Sequence, residues 1–163
     1  NGSWGEPERL PPPVNSTSSE LLPRLDGTGR LYFGSAREGG HGQGDIYSAI
    51  ERSPGEWIVE NVGPPVSTAA NEYEAEVSRD GRTLVVVADR GDRSHLYRFR
   101  RVDRRWQEIG RVPARADVFQ VGPVLSPNGD RLLFAQAHGQ MSGEMFLIDL
   151  TSKLIEAWPP NCN

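Results

Sequence analysis

Residues 126–134 read SPNGDRLLF, and the pattern occurs twice more, as SRDGRTLVV at 78–86 and LDGTGRLYF at 25–33. Each stretch holds Asn-Gly or Asp-Gly, then a polar pair, then an apolar run. Asn-Gly and Asp-Gly readily take the positive φ angles of a tight hairpin, so each stretch predicts two strands joined at such a tip. Working outward, each hairpin is followed by a further apolar stretch with an aromatic residue: GDIYSAI (44–50), SHLYRFR (94–100) and GEMFLID (143–149). Trp4, Trp57 and Trp106 return with nearly the same period, and the Pro-rich GSWGEPERLPPPVNS (2–16) returns as GEWIVENVGPPVST (55–68). Several markers in one order define an internal repeat of roughly 50 residues, the length of a β-propeller blade.

Each repeat has room for four short strands. They are expected near 21–25, 30–35, 45–51 and 56–62, then 74–78, 83–88, 95–101 and 105–112, then 122–125, 131–136, 144–150 and 153–157. Helical periodicity is not evident over any long segment. Four strands per repeat with Gly-rich turns predict an all-β propeller of three four-stranded blades, preceded by one orphan outer strand at Trp4. The expected divisions are 1–18 for that strand and its Pro-rich connection, 19–68 and 69–117 for the first two blades, and 118–163 for the third blade and the C-terminal end. Rings usually take four to eight blades, so three make a partial propeller. Two arrangements complete it. Further blades lie upstream in a longer chain, which the terminal LIEAWPPNCN favours, or two chains self-associate into a six-bladed ring.

Composition narrows the function. The chain of 163 residues carries a net charge of −4, with both signs interspersed, so a basic nucleic-acid face is not expected. The run Arg98, Arg100, Arg101, Arg104, Arg105 is broken by Phe99, Val102 and Asp103 and suits a solvated strand pair. Cys162 is the only cysteine, which excludes an internal disulfide and CxxC metal sites. No apolar run is long enough for a membrane-spanning helix. The chain begins with Asn rather than Met, so an upstream segment is removed or not shown.

These hairpin, turn and loop motifs resemble the TolB-type, WD-repeat-like β-propeller repeats of bacterial envelope proteins. Ser126-Pro127-Asn128-Gly129 and Ser78-Arg79-Asp80-Gly81 match the hairpin, Ser35-Ala36-Arg37 the turn, and Asp45-Ile46-Tyr47 the third strand. The resemblance spans nearly the whole chain. It implies a periplasmic or secreted protein that associates with envelope proteins, and it is specific for fold rather than activity.

Candidate chemistry is sparse. Glu20 and a second acid lie beside the innermost strands, which line a propeller's channel. Counting from Ser67 the second acid is Glu72; counting back from the hairpin it is Glu74. In the third repeat Gly122 falls at that place. Propeller glycosidases use paired carboxylates there, which leaves a fragment of a glycan-active enzyme as the alternative function. Hydrogen bonding between blades is the other role open to these acids. Arg37 and Asp45 flank GGHGQGD (39–45) and are expected to pair and tie that loop. Its glycines suit a tight, mobile loop, because a dinucleotide cradle needs a helix after it. His95 stands in the second repeat where Asp45 stands in the first. His41 has no partner at metal-ligand spacing, so no metal or cofactor is expected. There is no Gly-x-Ser-x-Gly elbow, and the tripeptide Arg90-Gly91-Asp92 is short enough to arise by chance. The tryptophans suit packing between blades. The weak ligand-binding candidates are thus Glu20, Arg37, Asp45, Glu72 and Glu74, and no catalytic residue is assigned. The expected function is a non-enzymatic module binding a protein or peptide partner.

Overall fold

The computed structural model describes residues 4–91 and 93–151. Eleven strands form three antiparallel sheets, and the described residues contain no helix. The first sheet orders β1 (Glu20–Leu25), β2 (Leu31–Ser35), β3 (Asp45–Ser53) and β4 (Glu56–Asn61). The second orders β5 (Asn71–Val77), β6 (Thr83–Asp89), β7 (Ser94–Val102) and β8 (Arg105–Arg111). The third contains β9 (Gln120–Leu125), β10 (Arg131–His138) and β11 (Met141–Asp149). A fourth strand expected near 153–157 lies outside the described residues. Residues 4–19 form no strand, and Trp4 is exposed, so the orphan outer strand expected there is not formed among the described residues.

Each sheet is a meander in which strands adjacent in sequence lie side by side. Alternation then puts one set of side chains on each face. Between the first and second sheets, Tyr32 and Ile46 pack against Ala75, Leu84, Val86 and Phe99, all fully or almost fully buried. Between the second and third, Val85, Val87 and Leu96 pack against Leu125, Leu132 and Phe134. The other face of the first sheet, with Leu31, Phe33, Tyr47 and Ala49, is covered by Val14 from the Pro-rich segment. Of the recurring tryptophans, Trp106 stands edge-on to Tyr32 across the first joint, with ring centroids 6.5 Å apart at 76°. Trp57 packs on the outer cluster of the first sheet.

The first hairpins share one turn, and its details correct the motif alignment. Asp26, Ser78 and Ser126 are equivalent, because the backbone N–H groups of Gly29, Gly81 and Gly129 donate to their respective carbonyls. Those three glycines have φ of 83°, 66° and 70°, which glycine adopts without a Cβ clash. The tip of the first hairpin is therefore Gly29, two residues beyond the Asp26-Gly27 pair that the sequence suggested. Asp26 instead accepts through Oδ1 from the N–H groups of Thr28 and Arg30, at 2.9 and 3.0 Å. Ser78 and Ser126 use Oγ to accept from Thr83 and Arg131.

Candidate functional site

With the hairpins aligned, the inner-strand polar residues fall into register. Glu20 pairs with Ser35, Glu72 with Ala88 and Gln120 with Gln136. Glu72 is thus the equivalent of Glu20, and Gln120, not Gly122, stands at that position in the third sheet. Two residues after each partner come Arg37, Arg90 and His138.

In the first two sheets the acid and the arginine form a clamp. Glu20 Oε1 accepts from Ser16 Oγ at 2.5 Å, Ser35 Oγ at 3.3 Å and Arg37 Nη2 at 3.1 Å. Arg37 also donates to the carbonyls of Pro13 and Val14, and its guanidinium lies over the rings of Phe33 and Tyr47. Burial works to raise the Glu20 carboxyl, but the Ser16 bonds, the Arg37 charge and Ser35 outweigh it, so the group sits below its ordinary value. Glu72, fully buried, accepts from Thr68 N at 2.9 Å, Thr68 Oγ1 at 2.6 Å and Arg90 Nε at 3.1 Å. Arg90 also donates to Glu108 and to the carbonyls of Pro65 and Val66, and covers the Tyr97 ring at 4.3 Å. Both clamps staple an inner strand to the preceding Pro-rich linker. Arg90 of the Arg-Gly-Asp tripeptide is therefore committed internally; Asp92 lies outside the described residues.

The third sheet uses neutral groups with reversed polarity. Gln120 Nε2 donates to the carbonyls of Arg115 and Val118 at 2.6 and 2.7 Å, while Oε1 faces His95 Nδ1 at 2.6 Å. Gln136 Oε1 accepts from Arg115 N at 3.0 Å. His138 tilts against Phe146, taking the place that arginine holds over an aromatic ring in the other sheets.

Glu74 and Glu76 work across the second joint. Glu74 Oε2 accepts from Gly122 N at 3.1 Å, and Glu76 Oε1 from Leu125 N at 3.0 Å. The N–H groups at the inner edge of β9 are satisfied in this way, without a partner strand. Glu76 also pairs with Arg24 at 2.7 Å. Burial raises the Glu74 carboxyl, with Gly122 N–H and Arg24 opposing and Glu76 adding to the rise.

The loop 39–45 departs from expectation on two counts. Arg37 pairs with Glu20, not with Asp45. Asp45 holds the loop through Oδ2, which accepts from the N–H of His41 at 2.8 Å and Gly42 at 3.4 Å. The loop is also tied to the next linker by Gln43 N donating to Ala70 O at 2.9 Å. A Cβ at Gly42 would stand 2.1 Å from that carbonyl and 2.4 Å from Thr68 O. Glycine here permits close backbone approach rather than motion. Residues 38–43 remain exposed on this held backbone. No group of three or more His, Cys, Asp or Glu comes together at metal-binding distance among the described residues. At the opposite end, a depression of about 410 Å³ lies between the hairpin tips, bordered by Leu25, Asp26, Arg79, Ser126 and Pro127.

Of these residues, sequence reasoning missed Arg90, Gln120 and Glu76. Arg90 was legible: it follows Leu84 by the same interval that separates Arg37 from Leu31.

Three consecutive antiparallel meanders packed face to face define a propeller-like, all-β fold. Its backbone is similar to the crystal structure of TolB from Acinetobacter baumannii, with a TM-score of 0.58 and 18% identity. The match covers 79% of this chain and 29% of that one, so the chain corresponds to a minor part of the longer protein. At this identity the likeness is one of fold. No family model matches the sequence, and no curated protein matches it. No helix among the described residues is long and apolar enough to cross a membrane.

Proposed function

We propose that this chain is a non-enzymatic recognition module, three consecutive blades of a β-propeller that bind a protein or peptide in the bacterial periplasm or outside the cell. The observation that carries the reading is the employment of the candidate residues. Glu20, Arg37, Glu72 and Arg90 hold linkers to strands, Glu74 satisfies the edge of β9, and Asp45 secures the loop 39–45. What remains outward is the exposed loop Glu38–Gln43, its backbone held by Asp45 and by Ala70 O. Preorganised loops on a rigid scaffold bind with little ordering cost. The periplasmic setting and the protein partner rest on the resemblance of the repeat motifs to the TolB-type repeats of bacterial envelope proteins, and the likeness to TolB supports the fold on which that reading stands.

Selection of displayed peptides against the immobilised chain tests this. Binders are expected whose affinity falls at least tenfold when Glu38, His41 and Gln43 are changed together to Ala, with the melting temperature unchanged. Glu20→Gln and Glu74→Gln should alter stability alone. Turnover of glycan substrates that disappears in both variants would overturn the reading in favour of a glycan-active propeller, since that chemistry needs two carboxyl groups.

A further inference from the structure

The hairpins that join the two outer strands of the first and second sheets are equivalent, because Trp57 pairs with Glu51 in one as Trp106 pairs with Arg101 in the other. Their charges are opposite. In the first, ERSPGEW (51–57), both acids are used within the hairpin. Glu51 Oε1 accepts from Gly55 N at 2.8 Å, and Glu56 Oε2 from Ser53 Oγ at 2.6 Å. In the second, Arg101 and Arg105 stand at the places of those acids, and Arg100 and Arg104 join them. Arg101 lies over the Trp106 ring at 5.6 Å. Arg100, Arg104 and Arg105 are exposed, and among the described residues none of the three has an ion pair or a side-chain hydrogen bond. Asp103 is the only acid between Arg98 and Gln107, and it forms no ion pair among the described residues.

The cluster opposes its own fold in two ways. Like charges sit together: burial and the Arg100 charge both hold the half-buried Arg98 guanidinium below the ordinary arginine value. The turn is also strained. Asp103 and Arg104 have φ of 47° and 66°, whereas the first hairpin places Gly55 at its tip, with φ of 79°. In a two-residue turn of this kind the second place suits glycine, which has no Cβ to clash. Charge on the edge strand β8 discourages pairing with stray strands, but Arg105 and Arg111 supply that without an arginine in the turn. Backbone strain of this sort gathers where a surface meets something else.

We infer that the hairpin Arg100–Arg105 is a second interaction surface, which receives an acidic peptide segment of a protein partner. Val102 pairs with Arg105 and Arg100 with Gln107, so Arg100 and Arg105 are diagonal neighbours on one face of the ribbon. Such neighbours are about 7–8 Å apart. Alternate residues of an extended chain lie about 7 Å apart on one side, so Glu or Asp at alternate positions meets both arginines. Guanidinium forks hold carboxylates through paired, charge-assisted hydrogen bonds. An extended segment touches the hairpin alone, whereas a flat anionic membrane would also meet the acids that give the chain its net charge of −4. The surface is separate from the loop Glu38–Gln43. That loop is tied to Ala70, and the next residue, Asn71, lies in register with Asp89 and Ser94, at the far end of β7 from the hairpin.

The test is fluorescence anisotropy of a labelled peptide in which Glu alternates with Thr, titrated with the full chain. Binding is expected that weakens as salt rises. The double variant Arg100→Gln, Arg105→Gln should lose about tenfold in affinity or more, with the melting temperature unchanged. Arg104→Gly should weaken binding while raising the melting temperature, since glycine relieves the turn. The triple alanine variant at Glu38, His41 and Gln43 should bind this peptide as the wild type does. No binding by the wild type, or equal binding of the peptide with Gln in place of Glu, would overturn the inference. Binding to phosphatidylglycerol vesicles but not to the peptide would overturn it in favour of a lipid-phosphate surface. Loss in the triple alanine variant with none in the arginine variants would overturn it too, placing the peptide on the loop and leaving the proposed function standing.

Discussion

The first two sheets and the third solve one problem with opposite chemistry. In each, an inner-strand residue must tie down the linker that precedes it. In the first two, the linker offers donors, Ser16 Oγ and Thr68 N and Oγ1, so the strand supplies a carboxylate and an arginine completes the clamp. In the third, the linker turns its Arg115 and Val118 carbonyls inward, so the strand supplies an amide that donates. Gln120 is therefore a different answer rather than a lost acid. Its neighbour His95, which replaces Asp45, completes that answer by facing Oε1.

Removing a clamp arginine should break this contrast most severely. Arg90→Ala leaves Glu72 fully buried with its charge facing only Thr68, and a loss of about 3–5 kcal/mol in chemical denaturation is expected. Arg37→Ala should cost less, about 2–3 kcal/mol, because Glu20 keeps some solvent and both serines. Equal losses would mean that the depth of the acid does not matter.

The polarity reversal is sharpened by Gln120→Glu. A carboxylate oxygen would then face the carbonyls of Arg115 and Val118 that the amide nitrogen now binds, and a loss of about 2–4 kcal/mol at neutral pH is expected. Adding His138→Arg should not restore it, since the linker still presents acceptors. Full rescue in a double-mutant cycle would show that the third sheet is a decayed copy of the first two.

The smallest effect concerns pH. Glu20 sits below its ordinary value when folded, so its contribution is present above the unfolded pKa and fades as pH falls through the folded one. Glu74 sits above its ordinary value, so its contribution is greatest in acid and declines as pH rises from the unfolded pKa through the folded one. Melting curves should accordingly show Glu20→Gln reducing the acid sensitivity of the protein. Glu74→Gln should remove a decline in stability on the neutral side, while the new amide oxygen still accepts from Gly122 N–H. The same sign for both would place the two carboxyls in similar surroundings.

Much of the architecture was legible because it is local. Apolar runs after the Gly-containing turns put β2, β3, β6 and β7 within a few residues of their observed limits, and the recurring aromatics and tryptophans established the period. The site was less legible. The Asp26-Gly27 pair resembles Asp80-Gly81 but belongs two places earlier in its turn, and that offset left Glu72 and Glu74 indistinguishable as the equivalent of Glu20. Asp45 and Arg37 look like partners because they flank one loop, yet each bonds something else.

The sequence by itself determined the repeat and most of its strands, because these follow from local apolar runs set between turns that glycine's freedom allows. Only the tertiary structure decided what the charges do. Arg24 meets Glu76, Arg98 meets Leu150 O and Glu74 meets Gly122 N because neighbouring sheets place groups about one repeat apart within hydrogen-bond reach. Folding also decides which apolar face is left open. Leu133 alternates along its strand as Val85 does, but only the packing of whole sheets leaves one exposed and buries the other.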